Sequence, residues 1–575
     1  MKPPLVKKKA GEAVRGYLPL ASRQKIYITL VFACLFLLFY SVWQVYPVIV
    51  EEEALLGLAS YLPSCYWIGL ALLVLTSILA FLDSELKKDA IFILLLLALG
   101  LFLFGVKVFF EVNPGNTTVY YPFGEVKNLL VTHHIDISNV SGGVLNSYYS
   151  WPAFHFINAS ILENSGIASS SFLSFVKAMP LYFTLCFVLI TYGIGKRLEL
   201  SPNRCFLLSF LAIASWMPDF AGLYYPRAYA MILFLLLFML LLVPRRTATE
   251  TVMMILMFGT AVMMHGLVTL ALIPGVVVLA VYRRDFRFVT LFIVILLAWN
   301  IYQAPLVVKS GIISLLHNPF LSIFSLADIE RYQQPALMST IVARYTRIPY
   351  AISYIALMVG CTILLIRSIK GERKKQVISL YVFAIGVLAI TVLGTGESIW
   401  RAYIYDIVPA LAIVALLLPR RKIMTALTIA LMCLFTFLHL PANYSGESQW
   451  GQIQSYQLKG TEFFATRVKL SPGEILFQPY GGELFWYYNS SLAQSLPLPD
   501  SAALMYTFYK SRETRPYLVE PTNTLDRIAY VVISRHGAYL SQFDLRDWPQ
   551  TEAGGKANLI YNNGGLQIYD NYMWR

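Results

Sequence analysis

The chain has 575 residues, of which 57% are hydrophobic and 13% are charged. Soluble domains carry about 25% charged residues, so this composition excludes a soluble globular protein and predicts a polytopic α-helical membrane protein. The net charge of +13 does not indicate nucleic-acid binding, because the basic residues lie mostly in short segments between apolar runs.

Apolar runs recur along the chain, and most are long enough to cross a hydrocarbon layer of about 30 Å. We predict about 13 transmembrane helices, although the pair on either side of His265 could also be one bent element. The predicted spans lie near 26–46, 62–82, 90–110, 173–194, 205–217, 227–243, 251–265, 267–282, 289–304, 348–366, 377–394, 402–418 and 423–440.

The distribution of Lys and Arg predicts how these spans are oriented. Basic residues are abundant in 1–25 and in alternate connections after it, and they are sparse in the remaining connections. Since cytoplasmic loops carry an excess of Lys and Arg, residues 1–25 are predicted to be a cytoplasmic segment of a multi-pass cell-membrane protein. Five Asn-x-Ser/Thr triplets fall on the predicted outside, beginning at Asn116, Asn139, Asn158, Asn443 and Asn489.

Residues 26–440 form the predicted transmembrane domain, which includes a large external loop, 111–172. A connection between two helices needs only a few residues, so a loop of this length indicates a function of its own. Residues 441–575 are predicted to be an external α/β or α+β domain. Strands are expected at 474–478 and 529–534, a hairpin at 558–570 and a helix at 501–511.

Ionisable side chains inside or beside membrane spans are costly, so their positions indicate where function lies. The outer side of the predicted bundle carries most of the informative residues, namely Asp219, Arg227, His265, Glu397 and Arg401 beside the spans, and Glu111, Glu125, Asp136, His133, His134 and His155 in the loop. We therefore expect a reaction centre at the outer boundary of the membrane.

Several of these residues have ordinary structural interpretations. Glu111 follows a span directly and could simply end it, and His155 is expected to pack within a helix. Adjacent His133 and His134 more often mark a surface than a metal site, and the chain has no HExxH or CxxC spacing. A divalent metal is thus not required, and this His pair is its only candidate site.

Three segments resemble the GT-C superfamily of membrane glycosyltransferases, which use polyprenyl-phosphate sugars as donors. They are the loop 111–172 with YYSWPAFHFINASIL, the run FAGLYYPRAYAMILFLLLFMLLL, and GESIWRAYIYDIVPALAIVALLL. Dolichyl-phosphate-mannose protein mannosyltransferases and aminoarabinose transferases belong to that superfamily. The resemblance covers roughly residues 90–570 and rests on loose motifs.

The resemblance implies an enzyme of protein glycosylation or of the cell envelope that transfers a hexosyl or pentosyl group with inversion. It gives Glu125 the catalytic carboxylate role, with Glu111 and Asp136 as substitutes. The implied contacts to the lipid phosphate and the sugar come from Arg401, Arg227, His265, Glu397, Tyr149 and Trp151, although the aromatic residues could instead form an interfacial belt. The expected partners are the polyprenyl-phosphate (dolichol-type) donor, membrane lipids and a lipid, glycan or protein acceptor.

The chain also departs from that superfamily. Two extra spans precede the acidic loop, the Asp-Glu pair of the protein mannosyltransferases is absent, and so is the WWDYG motif of oligosaccharyltransferases. The alternatives are a transporter or flippase of lipid-linked saccharides, which would have broken helices and repeated spans, and a ligase or polymerase acting on them.

Overall fold

The computed structural model describes the protein as a largely helical chain with a small sheet near its C-terminus. The residues described are 20–50, 54, 56–83, 85, 86, 88–115, 119–135, 151–167, 171–215, 226–242, 247–303, 345–362 with gaps at 347, 351, 357 and 361, 372–393, 399–417, 422–444, 453, 455–467, 474–477, 488, 528–534, 558–562 and 566–570.

The helices follow one another along the chain with short connections. They are α1 (Leu20–Val45), α2 (Ser64–Leu82), α3 (Asp89–Phe104), α4 (Val106–Phe110), α5 (Tyr120–Thr132), α6 (Ala153–Ser165), α7 (Phe172–Arg197), α8 (Pro202–Ser215), α9 (Pro226–Leu241), α10 (Ala248–Met264), α11 (Gly266–Arg283), α12 (Arg287–Gln303), α13 (Glu372–Leu393), α14 (Ile399–Leu417), α15 (Lys422–Tyr444) and α16 (Ser455–Arg467). A further apolar helical stretch lies between Ile348 and Gly360.

Helical residues occur within every predicted span, and the protein is embedded in a membrane. Four helices are long and apolar enough to cross a bilayer: Arg23–Val45, Ser64–Leu82, Phe172–Arg197 and Lys422–Tyr444. The other apolar helices described are shorter, so the count of about 13 spans stays a prediction. The pair around His265 is two helices, α10 and α11, and His265 itself has an extended backbone.

Helices α3 and α8 lie at the centre of the bundle. Residues Cys205–Ser215 of α8 are all buried, and α3 packs against both α7 and α8. The last carbonyl groups of a helix lack partners within it, so a buried helix end needs side-chain donors. At the end of α3, Tyr66 and Tyr444 donate to the carbonyls of Phe102 and Leu103.

The end of α8 is satisfied in a similar way. The Tyr403 hydroxyl donates to the Ser215 carbonyl over 2.7 Å, and Nδ1 of His439 lies 3.1 Å from the Ala214 carbonyl. These two side chains come from α14 and α15, so both late helices are fixed to the centre by polar contacts as well as by apolar packing.

A break at Gly105 separates α3 from α4. A Cβ atom there would lie 2.4 Å from the Leu101 carbonyl oxygen and 2.5 Å from the Phe109 ring, so the position accepts only glycine without movement. The chain resumes as the single turn α4 and leaves it at Glu111. The break therefore sets the direction in which Glu111 leaves the bundle.

Ion pairs lie at the end of the bundle opposite Glu111. Lys196 is 2.8 Å from Asp89 at the start of α3, and the Tyr192 hydroxyl donates to the same carboxylate over 2.7 Å. Arg23 pairs with Glu85 over 3.0 Å. Charged residues at this end agree with the predicted inner side, although the side of the membrane that each terminus occupies stays a prediction.

The C-terminal strands form one sheet in the order β1-β2-β4-β3. Strand β1 (Glu474–Phe477) runs parallel to β2 (Ile528–Ser534), while β3 (Asn558–Asn562) and β4 (Leu566–Asp570) form an antiparallel hairpin. The strands lie where the sequence predicts them. The helix expected at 501–511 falls outside the described residues, and the division into three domains stays a prediction.

Candidate functional site

The loop 111–172 contains two helices, α5 and α6, which pack against each other. Both acids that the structure describes here are buried: Glu125 on α5 is 4% exposed and Glu111 is 0% exposed. The third acid, Asp136, lies outside the described residues, as do Asp219, Glu397 and Tyr149. Arg401 lies in α14, and its side chain is outside what the structure describes.

Glu111 lies in the polar centre of this region. Neither of its carboxylate oxygens has a hydrogen-bond partner among the described residues. Burial raises the pKa of the Glu111 carboxyl to about 7, although the ammonium groups of Lys107 and Lys177 act in the opposite direction. A carboxyl with a pKa near 7 is half ionised at neutral pH and can exchange a proton there.

The two lysines are held by aromatic rings. Lys107 is one turn before Glu111 and is 7% exposed, and its Nζ atom lies 5.9 Å from the centre of the Tyr444 ring. Lys177 comes from α7, with Nζ 5.4 Å from the centre of the Tyr46 ring. Cation–π contacts of this kind fix an ammonium group without neutralising it, so both charges can act on a bound anion.

The first turns of α7 connect the two acids. Phe172 at the start of α7 meets Phe123 of α5 edge to face, with ring centroids 5.7 Å apart. Glu125 is two residues beyond Phe123, and Lys177 is five residues beyond Phe172. Helix α7 thus packs against the helix that carries Glu125 and supplies a charge beside Glu111.

Trp151 and His265 form a second part of the region. The Trp151 indole, just before α6, stacks on the His265 imidazole with centroids 5.9 Å apart and an interplanar angle of 9°. His265 is 4% exposed and lies where α10 ends and α11 begins. The Trp151 Nε1 atom has no hydrogen-bond partner among the described residues. This pair connects α6 with the break between two apolar helices.

Helix α6 is also fixed to α9. The Tyr229 hydroxyl donates to Oδ1 of Asn158 over 2.7 Å, and Arg227 is two residues earlier on α9 with a half-buried side chain. His155 on α6 is fully buried, as expected for packing, and burial lowers its pKa to about 4. His155 is therefore neutral at physiological pH.

His133 and His134 are exposed where α5 ends, and His133 adopts a left-handed conformation with φ of 55°. Within the part of the chain that the structure describes, no group of three His, Cys, Asp or Glu residues could hold a metal ion. Asp136, the nearest acid in sequence, lies outside that part.

Sequence reasoning missed Lys107 and Lys177 as site residues, although it placed both beside the loop. The spacing of Lys107 and Glu111 is a signal that could have identified one of them, since residues four apart lie on the same face of a helix. Two of the Asn-x-Ser/Thr triplets also have an unexpected environment: Asn158 is 0% exposed and Asn443 is 2% exposed.

A buried carboxyl between two ammonium groups can perform two tasks. The carboxylate can accept a proton from a hydroxyl group that it contacts. The lysines can hold an anion and stabilise negative charge as it develops, and they do so strongly because little water competes for them.

Comparison with known proteins gives similarity in structure only. No family model matches the chain, and no curated protein matches it. Among solved structures, the oligosaccharyltransferase of Archaeoglobus fulgidus in its apo form is 13% identical, with a TM-score of 0.48, covering 86% of this chain and 76% of its own. ArnT from Cupriavidus metallidurans bound to undecaprenyl phosphate is 13% identical, with a TM-score of 0.47, covering 84% and 97%.

A third structure is AglB from Archaeoglobus fulgidus in complex with an inhibitory peptide and a dolichol-phosphate. It is 12% identical, with a TM-score of 0.47, covering 84% of this chain and 74% of its own. These neighbours agree with the GT-C resemblance of the sequence. Identities this low bear on fold alone, so donor, acceptor and acting residues are matters for proposal.

Proposed function

We propose that this chain is a membrane glycosyltransferase that moves one sugar from a polyprenyl-phosphate donor to an acceptor at the outer membrane face. The observation that carries the proposal is the buried Glu111 carboxyl, which lies near Lys107 and Lys177 and lacks a hydrogen-bond partner among the described residues. Such a group is costly to bury in a purely structural role.

In the proposed reaction, the acceptor oxygen attacks the anomeric carbon as the bond from that carbon to the phosphate oxygen breaks. Glu111 takes the proton of the acceptor hydroxyl, and the polyprenyl phosphate leaves with the bonding electron pair. One carboxylate is sufficient for a single displacement, which inverts the anomeric configuration.

This assignment changes the order of the candidate acids. The sequence resemblance gives Glu125 first place, whereas burial and lack of a hydrogen-bond partner favour Glu111. We assign Glu125, on the adjoining helix α5, a place in the wall of the same site. Asp136 remains a candidate from sequence alone.

The cations are proposed to hold the leaving phosphate. Lys107 and Lys177 lie beside Glu111, and an ammonium group stabilises charge as it develops on the leaving oxygen. Arg227, Arg401 and His265 are further candidates by resemblance, because a guanidinium group can bind phosphate in a bidentate manner. Trp151 is proposed to offer its indole to the sugar from beside His265.

The experiment compares cells with and without the chain. Mass spectrometry of their glycans, glycoproteins and glycolipids identifies the missing hexosyl or pentosyl group and its acceptor. The purified chain in proteoliposomes, supplied with polyprenyl-phosphate sugars, is then expected to transfer that group in multiple turnovers. Addition of EDTA tests whether a divalent metal takes part.

The same assay separates the alternatives. A flippase moves the labelled donor between leaflets without forming a new glycosidic bond, and this outcome would contradict our proposal. Strict dependence on a diphosphate-linked donor, or transfer of a whole polymer, would identify a ligase or polymerase instead.

A further inference from the structure

The C-terminal segment contacts the chain that carries both buried acids. Nδ2 of Asn113 donates to the Ile453 carbonyl over 2.8 Å, across 340 residues of sequence. Asn113 is two residues beyond Glu111, so this bond fixes the chain just after the acid. It is a hydrogen bond from a side chain to a backbone carbonyl, so it holds Asn113 against one point of the chain.

A second contact lies at the other end of the same stretch. The Lys127 ammonium lies 5.8 Å from the centre of the Tyr488 ring, and Lys127 is two residues beyond Glu125 on α5. Burial lowers the pKa of Lys127, and the nearby Glu462 carboxylate on α16 acts in the opposite direction. Lys127 thus meets two different parts of the C-terminal segment.

Helix α16 is itself fixed to the C-terminal sheet. A Cβ atom on Gly460 would lie 2.7 Å from the Leu566 side chain, so helix and strand approach too closely there for any larger residue. Phe463 stacks on Tyr561 with ring centroids 4.4 Å apart. The sheet therefore determines where α16 lies, and α16 in turn presents Glu462 to α5.

We propose that the C-terminal segment is a positioning element of the transfer site, which holds residues 111–127 through Asn113 and Lys127. This inference rests on the proposed function and adds two positioning residues to it. Neither residue needs to contact the substrates. Their role is to fix the backbone from which Glu111 and Glu125 project.

The physical reason is the geometric demand of group transfer. A displacement of about 1 Å in a reacting group can lower the rate about a hundredfold, while binding of a long lipid is spread over many contacts and changes little. Loss of these contacts is therefore expected to lower kcat and leave KM for the lipid donor nearly unchanged.

The experiment uses the full chain in proteoliposomes. Lys127→Met and Asn113→Ala are each expected to lower kcat about tenfold with KM within twofold of wild type. Lys127→Arg should recover most of the activity, because a guanidinium group also stacks on the Tyr488 ring. The matched control is Lys459→Met, which changes an exposed lysine on α16 and should leave both constants unchanged.

Hydrogen exchange supplies a readout that does not depend on activity. Backbone amides of 120–132 are expected to exchange at least tenfold faster in Lys127→Met than in Lys459→Met. Unchanged exchange and unchanged kcat would overturn the inference, as would a loss of kcat that Lys127→Arg fails to recover.

The two proposals can fail separately. If the wild-type chain transfers no sugar, the proposed function fails, and hydrogen exchange alone then decides whether the C-terminal segment holds α5. If the wild type is active but the variants behave like Lys459→Met, only the positioning inference fails.

Discussion

The Trp151 indole lies face to face with the His265 imidazole, with ring centroids 5.9 Å apart. An aromatic pair of this kind contributes about 0.5–1.5 kcal/mol beyond the area it buries. The contact holds the start of α6 against the break between α10 and α11.

Replacement of Trp151 by Leu is expected to lower kcat/KM for the lipid-linked donor by about tenfold, which corresponds to about 1.4 kcal/mol. Trp151→Phe keeps a ring against His265 and should stay within about threefold of wild type. The matched control is Trp43→Leu, since Trp43 is 78% exposed on α1. Equal activity of Trp151→Leu and Trp43→Leu would show that the stack has no role in transfer.

Glu111→Gln tests the carboxylate most directly. Glutamine has nearly the same size but cannot accept a proton, so kcat should fall by about 10²–10⁴, the usual contribution of a general base. The thermal unfolding temperature should not fall, because the substitution removes a buried ionisable group. Glu163→Gln, at an exposed position on α6, is the matched control. Retained activity in Glu111→Gln would move the base to Glu125 or Asp136.

The pH profile follows from the raised pKa of the Glu111 carboxyl, which is about 7 against an ordinary value of 4.5. The base acts when ionised, so kcat/KM should rise with pH and level off above about 7. A profile that is already flat at pH 5 would be incompatible with Glu111 as the base.

The same pKa predicts how stability depends on pH. Between about pH 4.5 and pH 7 the folded protein binds a proton at Glu111 that the unfolded chain has lost. The free energy of unfolding should therefore decrease as pH rises through this window, by on the order of 3 kcal/mol from this group. Glu111→Gln should remove that part of the pH dependence, which thermal unfolding in detergent at pH 5 and pH 8 measures.

The positions of the apolar helices could be predicted from sequence because hydropathy is a local property. Helix α1 and helix α15 lie within a few residues of the runs predicted at 26–46 and 423–440. The strands β2 and β4 could likewise be predicted from alternation and turn residues. Their pairing could not, because it depends on contacts between distant segments.

The site was less predictable for the same reason. Trp151 and His265 are more than a hundred residues apart in sequence, and no local pattern shows that they stack. The environment of Asn158 was also hidden: its triplet appeared to be in an external loop, yet the Tyr229 hydroxyl donates to a fully buried amide there. Burial of a polar side chain depends on which helices cover it, and the sequence of one segment does not contain that information.

The buried pair of Asp406 and Tyr354 leads to a last prediction, about stability. Asp406 on α14 is 0% exposed, and its Oδ2 atom accepts a hydrogen bond of 2.7 Å from the Tyr354 hydroxyl. Its other oxygen has no partner among the described residues. Tyr354→Phe leaves the carboxyl without its described donor, and should lower the free energy of unfolding by roughly 1–3 kcal/mol.

The double variant Tyr354→Phe with Asp406→Leu should recover at least half of that loss, because replacing both polar partners by apolar groups is often nearly neutral. Denaturant unfolding in detergent micelles measures both effects. Tyr302→Phe, at an 86% exposed position on α12, is the matched control. If Tyr354→Phe is no more destabilising than this control, the hydrogen bond contributes nothing to stability. If the double variant is instead the least stable of all, Asp406 has a further favourable contact that its replacement removes.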